Sequence, residues 1–292
     1  MNITKVLIIL FLMNIVLEKI TFCQSAFEYL RQALARTAIF SALQVGYEYK
    51  DNLCMAGVLL RNGENSTLKF YLERDNNYRI MGIAYEDVLD LDLFLEDSQG
   101  RILVQDAKDD NLPIINFSPS SSGQYTIRIK NYRANTTSFC IMVLLKENKY
   151  STLSLPSSIL LTEALDNIVD LSEFYSLTGT KFIPNTFCLF GGLYNSGVSD
   201  GIMNIQIPSG EGGNYLILAA GSDNTKDVDL EVIKQTASGQ TTGNTIGQDK
   251  EIDKIAIVTC DIWSWNYYYI KYTNYQSSGK AFVFVVFMKD QS

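Results

Sequence analysis

Histidine is absent from the 292 residues of the chain. Its absence excludes a Ser-His-Asp triad, a Cys-His dyad and any zinc or iron site that needs imidazole ligands. Basic residues are also in short supply, with 24 lysines and arginines against 32 aspartates and glutamates, which gives a net charge of −8. A chain this acidic is a poor partner for nucleic acid or anionic lipid. The absence of histidine favours a binding protein over an enzyme, although enzymes without histidine exist.

Long hydrophobic segments are almost absent. The one long apolar run, Val6–Leu17, follows Lys5 and is too short to cross a bilayer as a helix. This arrangement is typical of a secretory signal, which we place at residues 1–24. A lipid anchor on Cys23 is the less favoured alternative, because the preceding Phe22 is larger than the residue that normally precedes a lipidated cysteine. We therefore predict a secreted, periplasmic or cell-surface protein without a transmembrane span.

The chain contains an internal repeat. Residues 125–147, with the sequence YTIRIKNYRANTTSFCIMVLLKE, align without a gap with residues 268–290, with the sequence YYIKYTNYQSSGKAFVFVVFMKD. Residues 76–100 likewise align with residues 213–239. The offset between matching positions grows along the chain, which indicates loop insertions in the second copy. Repeats of this kind predict two domains of the same fold.

Each copy combines a helical pattern with several strand patterns. Apolar residues at helical spacing predict helices over Ala26–Val45 and Ser157–Leu171. The alternation in Asp90–Leu95, DLDLFL, is typical of a half-buried strand, and further short strands are separated by turns. We therefore predict a mainly β fold with two antiparallel β-sandwiches in tandem, each preceded by a short helix, at residues 25–150 and 156–292.

The order of these segments resembles a known family. A strand led by tyrosine, the segment DLDLFLEDSQG, a short strand ending in Phe117, the segment SSGQYTIRI and a last apolar strand are similar to the bacterial pre-peptidase C-terminal domain. The match covers residues 48–147. It extends to residues 182–290, where Cys260 replaces the phenylalanine and WSWN replaces the Ser-Gly turn. The resemblance implies a jelly-roll-like sandwich in each copy, an exported location and a binding or secretion-assisting role, but no protease activity.

Four cysteines follow the predicted signal: Cys54, Cys140, Cys188 and Cys260. No CxxC motif is present, so the sequence does not support a zinc ribbon or a thioredoxin-type site. An even number in an exported chain permits two disulfides. Since Cys54 and Cys188 are equivalent in the repeat, we expect one bridge within each copy, Cys54–Cys140 and Cys188–Cys260. Buried free thiols are the alternative.

Paired aspartates recur at matching positions, Asp90 and Asp92 in the first copy and Asp227 and Asp229 in the second. Ca²⁺ takes several carboxylate and carbonyl oxygens near a loop, so these four are candidate calcium ligands. Two carboxylates on one strand are too few ligands alone. We therefore favour the alternative that they form a solvated strand face or discourage pairing at a sheet edge.

Aromatic residues replace polar ones on one strand of the second copy. Tyr268 and Ile270 match the apolar Tyr125 and Ile127, so these positions should face the core. The intervening positions should then point outward, and in the first copy they are polar. They are Trp265, Tyr267, Tyr269 and Lys271. We predict an exposed aromatic platform there, with coverage by the other half or by a helix as the alternative.

These observations together predict a secreted, non-enzymatic binding or accessory protein that recognises an extracellular carbohydrate or protein. It would need no cofactor, apart from the candidate calcium. Two other classes stay open. One is a structural component of an envelope or surface layer, and the other is a hydrolase that uses paired carboxylates such as Asp90 and Asp92. The ligand and the oligomeric state do not follow from the sequence.

Overall fold

The structure, a computed structural model, describes residues 27–148, 155–203, 205, 207, 209–237 and 239–291. The predicted signal, residues 1–24, and Cys23 lie outside these residues. Within the described ranges, no helix is both long enough and apolar enough to span a membrane.

The described residues form two similar halves, each with a helix followed by nine strands. The first half contains α1 (27–42), β1 (Tyr47–Tyr49), β2 (Asn52–Leu60), β3 (Asn65–Leu72), β4 (Tyr78–Ala84), β5 (Val88–Glu96), β6 (Ile102–Asp106), β7 (Ile114–Phe117), β8 (Gly123–Ala134) and β9 (Ser138–Glu147). The second half contains α2 (Leu155–Ser176), β10 (Thr180–Lys181), β11 (Phe187–Tyr194), β12 (Val198–Met203), β13 (Gly213–Gly221), β14 (Thr225–Gln235), β15 (Gly243–Asp249), β16 (Ile255–Ile262), β17 (Tyr267–Ser277) and β18 (Ala281–Asp290).

Both halves contribute to one large sheet. Its order is β16-β13-β18-β11-β2-β9-β4-β7, with β1 beside β9 and β10 beside β18. Each half adds a four-stranded sheet of its own, with the orders β3-β8-β5-β6 and β12-β17-β14-β15. The named strands pair antiparallel throughout, which confirms the predicted mainly β class with two sandwich-like halves, each preceded by a helix. The sequence did not predict that the halves share a sheet.

The two halves have the same strand order and the same register. Reading outward from the seam between β2 and β11, the first half runs β2-β9-β4-β7 and the second runs β11-β18-β13-β16. Gly57 pairs with Ile141 in the first half, and the equivalent Gly191 pairs with Phe284 in the second. The Phe284 ring lies where a Cβ on Gly191 would be, so close packing requires glycine there.

Side-chain alternation fills the space between the sheets as the pattern predicts. Leu91, Leu93 and Leu95 of β5 are fully buried, as are Ile127 and Ile129 of the neighbouring β8. Burial of each such side chain stabilises the fold by about 1.5–3 kcal/mol.

An arginine of the first helix bridges to the second helix. The α2 helix packs on β13 and β18 of the shared sheet. A guanidinium nitrogen of Arg31 in α1 lies 2.6 Å from Asp170 and 2.8 Å from Glu173 of α2, which ties the helices together. Pro156 occupies the first turn of α2, where its missing N–H costs nothing.

All four described cysteines are buried free thiols, so the predicted disulfides are wrong. Cys140 on β9 pairs with Val58, four residues along β2 from Cys54. That separation is about 13 Å, whereas a disulfide needs Cα atoms within about 7 Å. Cys188 on β11 and Cys260 on β16 are kept apart by β18 and β13. Burial raises the pKa of Cys54, Cys188 and Cys260 to about 12, so these thiols act as small core residues.

Candidate functional site

The predicted aromatic row lies on β17 and on the turn before it. Trp265 is 71% exposed and Tyr267 is 46% exposed, whereas the alternating Tyr268 and Ile270 are buried. The strand therefore has the side-chain orientation that the repeat predicted. Tyr269 departs from it in part, because its side chain is half-buried.

Packing against glycine explains the position of Tyr269. Its ring lies over Gly201 of β12, at the place where any larger residue would put its Cβ. Burial raises the pKa of the Tyr269 hydroxyl, and the nearby Asp200 carboxylate raises it further. Lys271 is half-buried and pairs across the sheet with Gly201 and Glu231. Tyr269 thus packs against β12, and the more exposed rings of Trp265 and Tyr267 are the ones available to a ligand.

A second tryptophan extends the exposed rings. Trp263 stacks on Trp265 with ring centroids 4.9 Å apart and ring planes inclined by 21°. The turn that carries both rings is fixed from below, because the buried Tyr268 hydroxyl accepts hydrogen bonds from the Trp263 amide at 3.0 Å and from Asn266 Nδ2 at 3.2 Å. We call Trp263, Trp265 and Tyr267 the aromatic row. The sequence analysis missed Trp263, although the WSW motif at residues 263–265 was a signal for it.

A groove of about 1300 Å³ runs between the two halves, next to the aromatic row. Its floor lies at the seam between β2 and β11. Its walls contain β3 and β12, each the end strand of its four-stranded sheet. The first-half wall includes Ser66–Tyr71, Gln124 and Thr126; the floor includes Asn52, Leu53, Thr186, Phe187 and Phe190; the second-half wall includes Asp200–Ile202, Ile205, Ile207, Ser264, Asn266 and Tyr267.

Polar contacts across the seam fix the relation of the walls. The Leu53 amide on β2 donates a hydrogen bond to Asp200 Oδ2 on β12 at 3.0 Å. The Tyr194 hydroxyl lies 3.4 Å from the same oxygen and 2.5 Å from the Tyr272 hydroxyl. At the same seam, Lys280 of the second half forms a 2.6 Å ion pair with Asp51 of the first.

Tyr71 brings an aromatic ring to the wall opposite the aromatic row. It lies on β3, lines the groove and is 52% exposed. Sequence reasoning missed it because the groove exists only where the two halves meet. Two repeats considered as separate domains contain no such groove.

The paired aspartates do not form the solvated face that we favoured. Asp90 is only 7% exposed and Asp92 is similarly buried. The segment after β6 covers β5 here, and the Leu91 amide donates to the Asp110 carbonyl at 2.9 Å. Asp90 and Asp92 lie on the part of β5 that extends beyond its pairing with β6, which begins at Leu93, so the alternative of edge protection stays a prediction. Burial raises the pKa of Asp90, and the carboxylate of Asp109 raises it further.

The second half repeats this arrangement. Asp227 is buried, and the Val228 amide donates to the Asp253 carbonyl at 2.8 Å. Asp229 is half-buried. Burial raises the pKa of both Asp227 and Asp229. Oδ1 of Asp90 and Oδ1 of Asp227 accept no hydrogen bond within the described residues.

Neither aspartate pair lies in the groove. In the part of the chain that the structure describes, no three Asp, Glu, Cys or His side chains are grouped so that they could hold a metal ion. Calcium binding at Asp90, Asp92, Asp227 and Asp229 stays a prediction from the sequence.

Comparisons with known proteins place the chain in no family. No family model matches it and no curated protein matches it. Among solved structures, the PBSX exported protein XepA is 11% identical, with 81% of this chain and 85% of that chain covered and a TM-score of 0.25. The CBM22-1-CBM22-2 tandem domain of Xyn10C from Paenibacillus barcinonensis is 8% identical, with 85% and 93% covered and a TM-score of 0.25. Likenesses this weak support no functional argument, and the resemblance to the pre-peptidase C-terminal domain stays a resemblance.

Proposed function

We propose that this chain is an exported, non-enzymatic binding protein that stacks sugar rings of an extracellular carbohydrate on its aromatic row. The supporting observation is the exposure of Trp265 and Tyr267 beside the stacked Trp263. Exposed apolar rings cost solubility, and contiguous patches of them mark sites of interaction. The predicted signal at residues 1–24 supports export.

Carbohydrate suits these rings better than a generic apolar partner. Tryptophan and tyrosine each combine a flat apolar face with a polar tip, so one ring can stack on a sugar face while its N–H or O–H meets a hydroxyl. Trp263 and Trp265 lie in the turn directly before Tyr267, the first residue of β17, and all three side chains are exposed. The row can therefore present more than one ring to a chain of sugars.

Binding to insoluble polysaccharides tests the proposal. The mature protein is mixed with cellulose, chitin, xylan or mannan, and the bound fraction is measured after sedimentation. We expect retention on at least one of them, and a loss of at least about tenfold in affinity, or about 1.4 kcal/mol, for Trp265→Ala and for Tyr267→Ala.

Tyr275→Ala is the matched control. Tyr275 is an exposed tyrosine on the same strand as Tyr267 but does not line the groove. Its replacement should leave retention unchanged. Retention on none of the polysaccharides, or equal losses for Tyr267→Ala and Tyr275→Ala, would contradict the proposal.

A further inference from the structure

The groove and the aromatic row share residues, and we propose that they form one site, in which the groove holds an internal stretch of a linear, uncharged polysaccharide. This inference rests on the proposed function, since it takes carbohydrate as the ligand class. It adds the length of the ligand, the absence of charge on it and a second set of contacts in the first half.

The size of the groove favours a polymer. Sites for small molecules typically enclose about 300–1000 Å³, whereas this groove encloses about 1300 Å³. Its first-half wall includes six consecutive residues of β3, Ser66–Tyr71, which extend over about 20 Å. One or two sugars would leave most of that wall unused.

The lining chemistry favours uncharged hydroxyl groups. Side-chain hydroxyls and amides, which can both donate and accept hydrogen bonds as sugar hydroxyls do, line both walls: Ser66, Thr67, Gln124, Thr126, Ser264 and Asn266. On the floor, Thr186 is buried and its Oγ1 has no hydrogen-bond partner within the described residues.

The charged residues of the lining nearly cancel. The lining contains three lysines, Lys50, Lys69 and Lys146, and four carboxylates, Glu48, Asp51, Glu73 and Asp200. All four carboxylates already have partners within the protein: Lys280 for Asp51, the Leu53 amide for Asp200, Asn148 for Glu48 and Asn76 for Glu73. A groove with so little net charge gives no preference to a charged chain.

Aromatic rings lie at both sides of the groove and connect it to the row. Tyr267 belongs to the row and also lines the groove, and Tyr71 stands on the opposite wall. A sugar chain stacked on Trp265 and Tyr267 can therefore continue into the groove and meet the ring of Tyr71. An extended polypeptide could instead pair with the end strands β3 and β12. The first-half wall argues against it, because two neighbouring strands contribute to it: Tyr71 of β3 pairs with Gln124 of β8, and Lys69 with Thr126, and all four line the groove.

Chain-length dependence of binding tests this inference. Disaccharides and hexasaccharides of the cello-, xylo-, manno- and chito- series are titrated into the full mature protein by calorimetry. In the series that binds, we expect the hexasaccharide to bind at least about tenfold more tightly than the disaccharide. Tyr71→Ala should remove most of that difference and leave the affinity for the disaccharide unchanged, whereas Tyr267→Ala should weaken both and Tyr275→Ala neither.

Thr126→Val serves as a second groove variant that keeps the side-chain shape and the strand preference, and it should weaken only the hexasaccharide. Equal affinity for the short and long ligands would contradict binding in the groove, and so would a hexasaccharide affinity that neither Tyr71→Ala nor Thr126→Val changes. Either result would leave the proposed binding at the aromatic row unaffected. Binding of no series would instead overturn the proposed function, and this inference with it.

Discussion

At the scale of single residues, the alternation of apolar and polar positions predicted correctly which side chains face the core, but it did not predict which residues lie in contact. The repeat placed Tyr268 and Ile270 inside and Trp265 and Tyr267 outside, and the structure agrees. The predicted disulfide partner of Cys54 was wrong, and so was the solvated position predicted for Asp90. The direction in which a side chain points depends on the two-residue period of its own strand. The residues that it contacts depend on which strands are neighbours and in which register they pair, and the sequence of a single strand does not determine either.

The free thiols of the four described cysteines predict how the protein reacts with thiol reagents. We expect the folded protein, produced without residues 1–24, to react slowly with an alkylating reagent at Cys54 and Cys140, because burial removes access and raises their pKa. All four thiols should react after denaturation without any reductant. The melting temperature should be the same with and without dithiothreitol. A fall in that temperature on reduction, or thiols missing after denaturation, would indicate a disulfide.

The buried aspartates predict a dependence of stability on pH. Burial keeps the folded-state pKa of Asp90 above its usual value, so the folded state binds this proton more tightly than the unfolded state does. The stability contribution of Asp90 is therefore fully present below about pH 3.8 and is lost as the pH rises through the folded-state pKa. Asp90→Asn should raise the free energy of unfolding at pH 7, by roughly 0.5–1 kcal/mol, with a gain that shrinks as the pH falls.

Asp223→Asn is the control with the opposite sign. Lys254 and Asn167 hydrogen-bond this carboxylate and lower its pKa. Its charge therefore stabilises the fold at neutral pH, and its loss should lower the free energy of unfolding. Urea unfolding between pH 5 and pH 8 measures both variants. If Asp90→Asn lowers the free energy of unfolding at pH 7, the buried carboxylate has a favourable role that its surroundings do not reveal.

At the scale of elements, the pattern predicted both helices and several strands, among them the strand at Asp90–Leu95 and the strand that contains Tyr125, Ile127 and Ile129. The helices were expected over Ala26–Val45 and Ser157–Leu171 and are found at 27–42 and Leu155–Ser176. Ends differ by a few residues because helix termini depend on local capping and packing. The segment that covers β5 was not foreseen, since a loop carries no periodic signal.

A further prediction concerns the packing of β12 against β17. Because the Tyr269 ring occupies the place of a side chain on Gly201, Gly201→Ala should displace the ring and lower the free energy of unfolding by about 1–3 kcal/mol. Gly123→Ala is the control, since nothing lies near its Cβ position. Urea unfolding followed by tryptophan fluorescence measures both. Equal stabilities of the two variants would mean that Tyr269 moves aside without cost.

At the scale of the whole molecule, the repeat predicted two similar halves but not their joint sheet. A match between two sequence segments shows that their folds are alike; it holds no information on which strands meet between them. The contact of β2 with β11, in which Phe187 is paired with Val58, places two otherwise open sheet edges against each other and so covers edges that could pair with another chain. The groove over this seam is a property of the joined halves. That is why Tyr71, Asp200 and Thr186 could not be assigned to a site from the sequence.

A shared sheet predicts that the halves unfold together. Opening the seam would expose the unpaired edges of β2 and β11, so an intermediate with one half folded is costly, and urea should produce one transition with the same midpoint by circular dichroism and fluorescence. Asp200→Ala leaves the part-buried Leu53 amide without its acceptor, and loss of such a hydrogen bond costs about 0.5–1.5 kcal/mol. We expect this variant to unfold at lower urea concentration or to separate the two midpoints. Ser199→Ala, on the same strand but bonded within its own half to Thr273, should do neither. Two well-separated transitions in the parent protein would show that the seam is weak and that each half is stable alone.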